Sequence, residues 1–262
     1  MSKNLVAMYS GGIDSNVTVF YPLEQGYDVY PVYICWRTGN VAVKECKIIM
    51  QLWHKYKDKY NGRFHKPSII VNSNLIKDIK ENIKYRNKIM LDFVARNIMS
   101  KYGTNLLSMG EYNQSKEVGW VNNWSVALDD CEPSALQEYL DQYNIKLIIM
   151  DDFGKASLKH DRVQLLKDVI GEDVFLTTSC GYGHNGIDCG ECYLCGEIAV
   201  AKRKVFGYDK TIYLKDPEVH NIYYPEYCVQ MNYLPGLLRV LKNNYKNIRI
   251  PRLELIKKLK EM

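Results

Sequence analysis

The stretch Asn4-Leu5-Val6-Ala7-Met8-Tyr9-Ser10-Gly11-Gly12-Ile13-Asp14-Ser15 decides the fold. A short apolar run halted by two glycines reads as a strand buried on both faces, as in a parallel sheet. Asp14 or Ser15 is placed to cap a following helix, and Gly26 to end it. Pro22 should leave that helix short or irregular near its end, because proline lacks an N–H and crowds the preceding turn. At a strand-to-helix turn, two glycines let backbone N–H groups approach an anion closely. The helix N-terminus adds its positive dipole end, and the hydroxyls of Ser10 and Ser15 add donors. The loop lacks the Gly-Lys-Ser/Thr ending of a Walker-type ATPase or GTPase. Spacing alone leaves a plain turn and an anion site evenly matched; the position after the first strand favours the anion site.

Working outward, residues 28–35 read as a second strand, rich in Val, Tyr and Ile. Residues 42–60 have helical spacing, with Val43, Cys46, Ile49, Met50 and Trp53 on one face. Further strands are expected at 68–71, 105–109 and 146–150, and a long helix at 86–102, ended by Gly103. Strands alternating with helices imply βαβ units and a doubly wound, mostly parallel α/β sheet. Ligands bind such sheets beyond the carboxyl ends of the strands. Residues 111–132 form a long loop rich in Asn, Asp and Trp, and loops of that length are usually functional or mobile. Beyond about residue 208 the pattern weakens. The expected organisation is a nucleotide-binding domain at 1–175, a metal-binding segment at 176–207 and an extension at 208–262.

The 262-residue chain is 47 % hydrophobic and 25 % charged, which excludes a mainly disordered, collagenous or coiled-coil protein. No apolar run has the length of a membrane span, and the N-terminal run is too short for a signal peptide. A cytoplasmic address and no membrane partner are therefore expected. The net charge is +5, and its location matters more than its size. Residues 237–262 hold eight Lys/Arg against Glu254 and Glu261, whereas the rest holds 27 basic and 28 acidic residues. Apolar positions such as Leu237, Leu241, Leu253 and Leu259 give this tail a packing face, which Pro251 should break in two. Packing against the body, or against a second copy of the chain in a homodimer, is favoured. Capture of nucleic acid through the basic tail is the lesser alternative.

Four of the eight cysteines, Cys180, Cys189, Cys192 and Cys195, fall within 16 residues, with glycines interspersed. In a chain without secretory features, such a cluster reads as a metal site before it reads as disulfides. Four thiolates close a tetrahedral shell around Zn2+, and an iron–sulfur cluster is the alternative. A filled shell leaves no open position for substrate, so the metal's role is structural.

Ser10-Gly11-Gly12-Ile13-Asp14-Ser15 resembles the SGGxDS loop of the N-type ATP pyrophosphatases, the PP-loop enzymes. The resemblance implies that Ser10, Gly11, Gly12, Asp14 and Ser15 hold the pyrophosphate portion of ATP, with Asp14 helping to place Mg2+. Added to the late Cys-x8-Cys-x2-Cys-x2-Cys pattern, it narrows to the 7-cyano-7-deazaguanine synthases. Arg86-Asn87 matches that family's Arg-Asn pair opening a helix. Asp130-Cys131-Glu132-Pro133 is similar to its Asp-Cys step, Thr177-Thr178-Ser179-Cys180 to its lead into the zinc site, and Lys159 to a lysine on the preceding helix. These marks span residues 4–207.

The family resemblance implies an adenine nucleotide alpha hydrolase-like fold and ligation of 7-carboxy-7-deazaguanine with ammonia through adenylated intermediates. It implies roles for Arg86 at phosphate or acyl charge, for Lys159 at the AMP end, and for Asn87 and Asp130 at the deazaguanine. The chain departs from the family at Thr38-Gly39-Asn40, Ala42, Glu132, Thr178 and Ile198, which bears on the acyl substrate. Three rivals follow: a relative that stops at the amide or joins a deazaguanine to a macromolecule, a tRNA-thiolating PP-loop enzyme using Cys46 and Cys131, and a zinc-stabilised nucleic-acid-binding module without catalysis.

Overall fold

The computed structural model describes residues 3–36, 40–82, 85–110, 133–149, 152, 159–178, 180, 187–190 and 193–214. They fall in two compact units, Met1–Thr178 and Ser179–Met262. In the first, β1 (Asn4–Met8) leads through the glycine turn into α1 (Ile13–Glu24) and on to β2 (Asp28–Ile34). There follow α2 (Asn40–Tyr56), β3 (Ser68–Ile70), α3 (Ser73–Glu81) and α4 (Arg86–Asn97), then β4 (Leu106–Ser108), α5 (Pro133–Asp141), β5 (Lys146–Ile148) and α6 (Lys159–Ile170).

The strands form one sheet in the order β3-β2-β1-β4-β5, and every pair is parallel. This is the expected doubly wound arrangement, since side chains of opposite parity meet helices on opposite faces. Val6, Met8, Val32, Ile34 and Leu107 pack with Leu75, Ile79, Leu91, Val94 and Leu140 of α3, α4 and α5. On the other face, Tyr33 reaches α2 and Ser108 reaches α1. The strand order reverses between β1 and β4, and a crevice at such a switch point is the usual ligand site.

Two prolines shape this frame. Pro22 lies inside α1, so the Thr18 carbonyl lacks its usual helical donor. The Ser108 hydroxyl donates to that carbonyl at 3.1 Å, which fastens α1 to β4. The helix therefore runs on to Glu24 and ends before Gly26, whose φ of 86° is left-handed. Pro31 sits in a strand paired on both sides. In β2 the even residues face β1, as Asp28 N donating to Lys3 O indicates, and the odd ones face β3, as Val29 N donating to Arg63 O indicates. Pro31 therefore removes a donor on the β3 side only, and regular pairing there resumes at Val32 with Ser68.

Several expectations are corrected. The N-cap of α1 is Gly12, with no side-chain cap bond, so neither Asp14 nor Ser15 caps it. The expected helix at 86–102 is two pieces: α4 stops at Asn97 and a 3-10 turn follows at Met99–Tyr102. In α2 the buried residues are Ala42, Glu45, Ile48, Ile49 and Leu52, while Val43 is 53 % exposed. The buried stripe is thus rotated from the expected one by about one position. Helix α3, an additional element, starts where the Asn72 side chain accepts from Leu75 N.

In the second unit, α7 (Tyr193–Phe206) begins just before Cys195. Asp188 pairs with Tyr213, and the buried Lys202 donates to the Thr211 hydroxyl at 2.9 Å. Among the described residues, no helix is long and apolar enough to cross a membrane.

Candidate active site and metal centre

The glycine turn after β1 is tightly self-bonded. Ser15 Oγ accepts from Ser10 N at 3.1 Å and donates to Gly12 O at 3.1 Å. Asn16 donates to Gly12 O from both its backbone and its side chain, and the buried Tyr9 hydroxyl donates to Asn16 Oδ1 at 2.9 Å. Gly11 takes φ 76°, and a Cβ there would stand 3.2 Å from Ile48 Cγ2 of α2. Left-handed backbone and close packing therefore both call for glycine. Thr178 N donates to Gly11 O at 3.4 Å, which ties the 3-10 turn at Gly171–Leu176 back to this loop.

Asp14, in the first turn of α1, is gripped by two cations from α6. Lys159 Nζ lies 3.0 and 2.8 Å from its two carboxylate oxygens, and Arg162 donates to Oδ1 at 3.2 Å. Lys159 is 9 % exposed and Arg162 not at all, while the Asp14 side chain is 27 % exposed. Burial on its own pushes the Asp14 carboxyl up, but the Lys159 and Arg162 charges and hydrogen bonds together hold it below the usual carboxylate range.

A cavity of about 220 Å3 opens beside this carboxylate, lined by Ser10, Asp14, Ser15, Arg86 and Asn87. Its floor is the carboxyl ends of three strands, with Met8, Val32, Ile34 and Met109. Arg86 stacks over the Trp36 ring at 4.9 Å and donates to Asn87 Oδ1 at 3.3 Å. Sequence reasoning missed three contributors. Glu45, only 5 % exposed, lines the cavity and accepts from the Tyr33 hydroxyl. Burial and then this carboxylate push the Tyr33 phenol far up. Arg162 went unnoticed although it lies one turn from Lys159. Gly110, just beyond β4, would place a Cβ 3.1 Å from Asp14 Cβ.

The structure thus brings Ser10, Asp14, Ser15, Arg86 and Asn87 around one cavity, with Gly11 and Gly12 in the turn and Lys159 held to Asp14. Asp130, Thr38, Gly39 and Glu132 lie outside the described residues. Of the departures, Ala42, Thr178 and Ile198 are buried.

The second unit gathers Cys180, Cys189 and Cys195, whose sulfurs all lie within 4.8 Å of one another. Cys189 Sγ and Cys195 Sγ are 3.9 Å apart, close to the ~3.8 Å edge of a tetrahedron with Zn–S bonds of ~2.3 Å. Cys189 N points at Cys180 Sγ at 3.3 Å, so the sulfur is already an acceptor. Cys180 and Cys195 are buried. The donor set and spacing fit a thiolate-bound metal ion; the fourth sequence candidate, Cys192, lies outside the described residues.

A sequence model of the family described as Thiamine biosynthesis protein (ThiI) matches residues 1–110. The chain is 28 % identical over 211 residues to the 7-cyano-7-deazaguanine synthase of Pseudoalteromonas translucida (strain TAC 125). That match covers 75 % of this chain and 92 % of the relative. The chain is thus similar to a 7-cyano-7-deazaguanine synthase, and both likenesses support an ATP-using PP-loop enzyme.

Proposed function

We propose that the protein is an ATP-dependent carbon–nitrogen ligase that converts 7-carboxy-7-deazaguanine and ammonia into 7-cyano-7-deazaguanine. In this reading a substrate carboxylate oxygen attacks the α-phosphorus of ATP, releasing pyrophosphate and leaving an acyl adenylate. Ammonia displaces AMP and forms the amide. The amide oxygen then attacks the α-phosphorus of a second ATP, releasing pyrophosphate, and loss of AMP and of the two amide protons leaves the nitrile. The single observation carrying the proposal is that Ser10, Asp14 and Ser15 of the glycine turn and Arg86-Asn87 line one cavity at the switch point of the sheet, with Lys159 paired to Asp14 behind it.

The chain's own groups have separable tasks here. The N–H groups of the glycine turn and the hydroxyls of Ser10 and Ser15 bind the leaving pyrophosphate. Arg86, held by Trp36 and Asn87, offsets phosphate or acyl charge. Asn87, with Asp130, reads the polar edge of the deazaguanine. Fixed donors and a walled cavity align the reactants, and no side-chain nucleophile is needed. Mg2+ accompanies the phosphates of ATP. Cys180, Cys189, Cys192 and Cys195 would hold one Zn2+ in a closed, structural site. A cytoplasmic address goes with this chemistry.

The thiolating alternative would use Cys46 and Cys131 as sulfur carriers. It fits less well, because burial, together with Cys35 and Glu45, pushes the Cys46 thiol up and away from the reactive thiolate. The test is incubation with ATP, Mg2+, ammonia and a panel of 7-deazaguanines, with products identified by mass spectrometry. A nitrile 7-deazaguanine supports the proposal, an amide alone supports the truncated reaction, and no deazaguanine product at all overturns it.

A further inference from the structure

The two cations on Asp14 differ in mobility. Arg162 has no exposed surface, and its planar guanidinium donates to one oxygen, Oδ1, at 3.2 Å. Lys159 stands on the same face of α6, three residues earlier, and spans both oxygens at 2.8 and 3.0 Å. Its ammonium is a point charge with three donors on a flexible four-carbon stem, whereas a buried guanidinium is a fixed fork. Asp14 itself faces the cavity and is the least buried of the three. A partly buried carboxylate that lost its only cation would be strongly destabilised. With two cations present, one can leave while the other stays.

We propose that Arg162 is a positioning residue: it remains on Asp14 as the standing counter-ion and so frees Lys159 to turn its ammonium to the phosphates of the nucleotide. This rests on the ATP reading given above and adds a residue that the sequence did not mark. The carboxylate is then a docking post for the lysine. Arg162 keeps Asp14 ionised through the exchange, and Lys159 returns to it when the phosphate departs. No bond is made or broken in this exchange. One ion pair is traded for another, at small net cost because the buried partner stays charged and paired.

The test is a double-mutant cycle on the full-length protein, read as affinity for inorganic pyrophosphate by titration calorimetry. Arg162→Met should trap Lys159 on Asp14 and weaken binding by at least about tenfold. Arg162→Lys, which keeps the charge, should recover most of that loss. In an Asp14→Asn background, where no carboxylate is left to trap the lysine, Arg162→Met should cost almost nothing more, because its effect passes through Asp14. Should Arg162→Met fail to fold, Arg162→Gln carries the same comparison. Equal losses in the two backgrounds, or unchanged affinity in Arg162→Met, would overturn the proposal while leaving the ATP reading intact. A wild-type protein that binds neither pyrophosphate nor ATP would overturn both.

Discussion

Gly110 stands where a Cβ would meet Asp14 Cβ at 3.1 Å, the Asp14 carbonyl carbon at 3.2 Å and Ser15 N at 3.3 Å. Two of these three atoms are backbone, so the neighbours cannot turn aside as a flexible side chain would. Gly110→Ala should push the end of β4 from the glycine turn, at a cost of about 1–3 kcal/mol for overpacking. Thermal melting should show that loss together with a raised KM for ATP; an unchanged melting temperature and KM would mean the approach is not tight. Asp14 has a separate signature in pH. Its folded pKa lies below its unfolded one, so its stabilising contribution is complete above about pH 4 and disappears as pH falls through the folded value. Comparing urea stability of wild type and Asp14→Asn across about pH 2–6 should therefore show a gap that closes on acidification. A gap of constant size would mean the carboxylate is not held ionised by Lys159 and Arg162. Asp14→Asn should also remove most ATP cleavage. These side chains show where residue-level reading succeeds and fails. Asp14 announced itself through its place in a motif. Arg162 and Glu45 did not, because charged residues are ordinarily exposed and nothing local says that these two are buried.

At the scale of elements, the strands and the first turn were legible because their signals are local: a short apolar run, then glycines. Helix α2 was legible as a helix but not in its facing, since its buried stripe includes the acid Glu45, which lines the cavity, and leaves Val43 outside. Helix α3 had both an Asn72 cap and a Leu75–Ile79 pair to reveal it, but nine residues give little periodicity to count. The break in the expected helix at 86–102 comes where α4 ends and a tighter turn carries the chain to Gly103, at φ 57°. The cysteine-bearing segment has its own forecast. Purified protein should carry about one zinc per chain, as a single four-thiolate shell requires. Cys192→Ser should lower zinc content and melting temperature together, because metal binding is coupled to folding. Full zinc retention in that variant would show that Cys192 is not a ligand; iron in place of zinc would assign the cluster to iron–sulfur chemistry.

For the whole molecule, the sheet order places β1 and β4 side by side at the reversal of the winding, and the residues named for ATP meet there. The order was not legible from the sequence, because which strand lies beside which depends on crossovers rather than on any local pattern. The basic tail at 237–262 was read from sequence alone, and its forecast stands at this scale. Its deletion should reduce stability or assembly while leaving any weak nucleic-acid affinity nearly unchanged. Tight binding that falls steeply with salt and vanishes on truncation would make the tail a nucleic-acid arm instead. The central claim is that this chain cleaves ATP between its α- and β-phosphorus atoms at the glycine turn. The most direct measurement is the identity of the nucleotide and phosphate products formed from ATP with Mg2+, ammonia and 7-carboxy-7-deazaguanine. The account predicts AMP and pyrophosphate, dependent on the deazaguanine and abolished in Asp14→Asn; ADP and orthophosphate as the only products would contradict it.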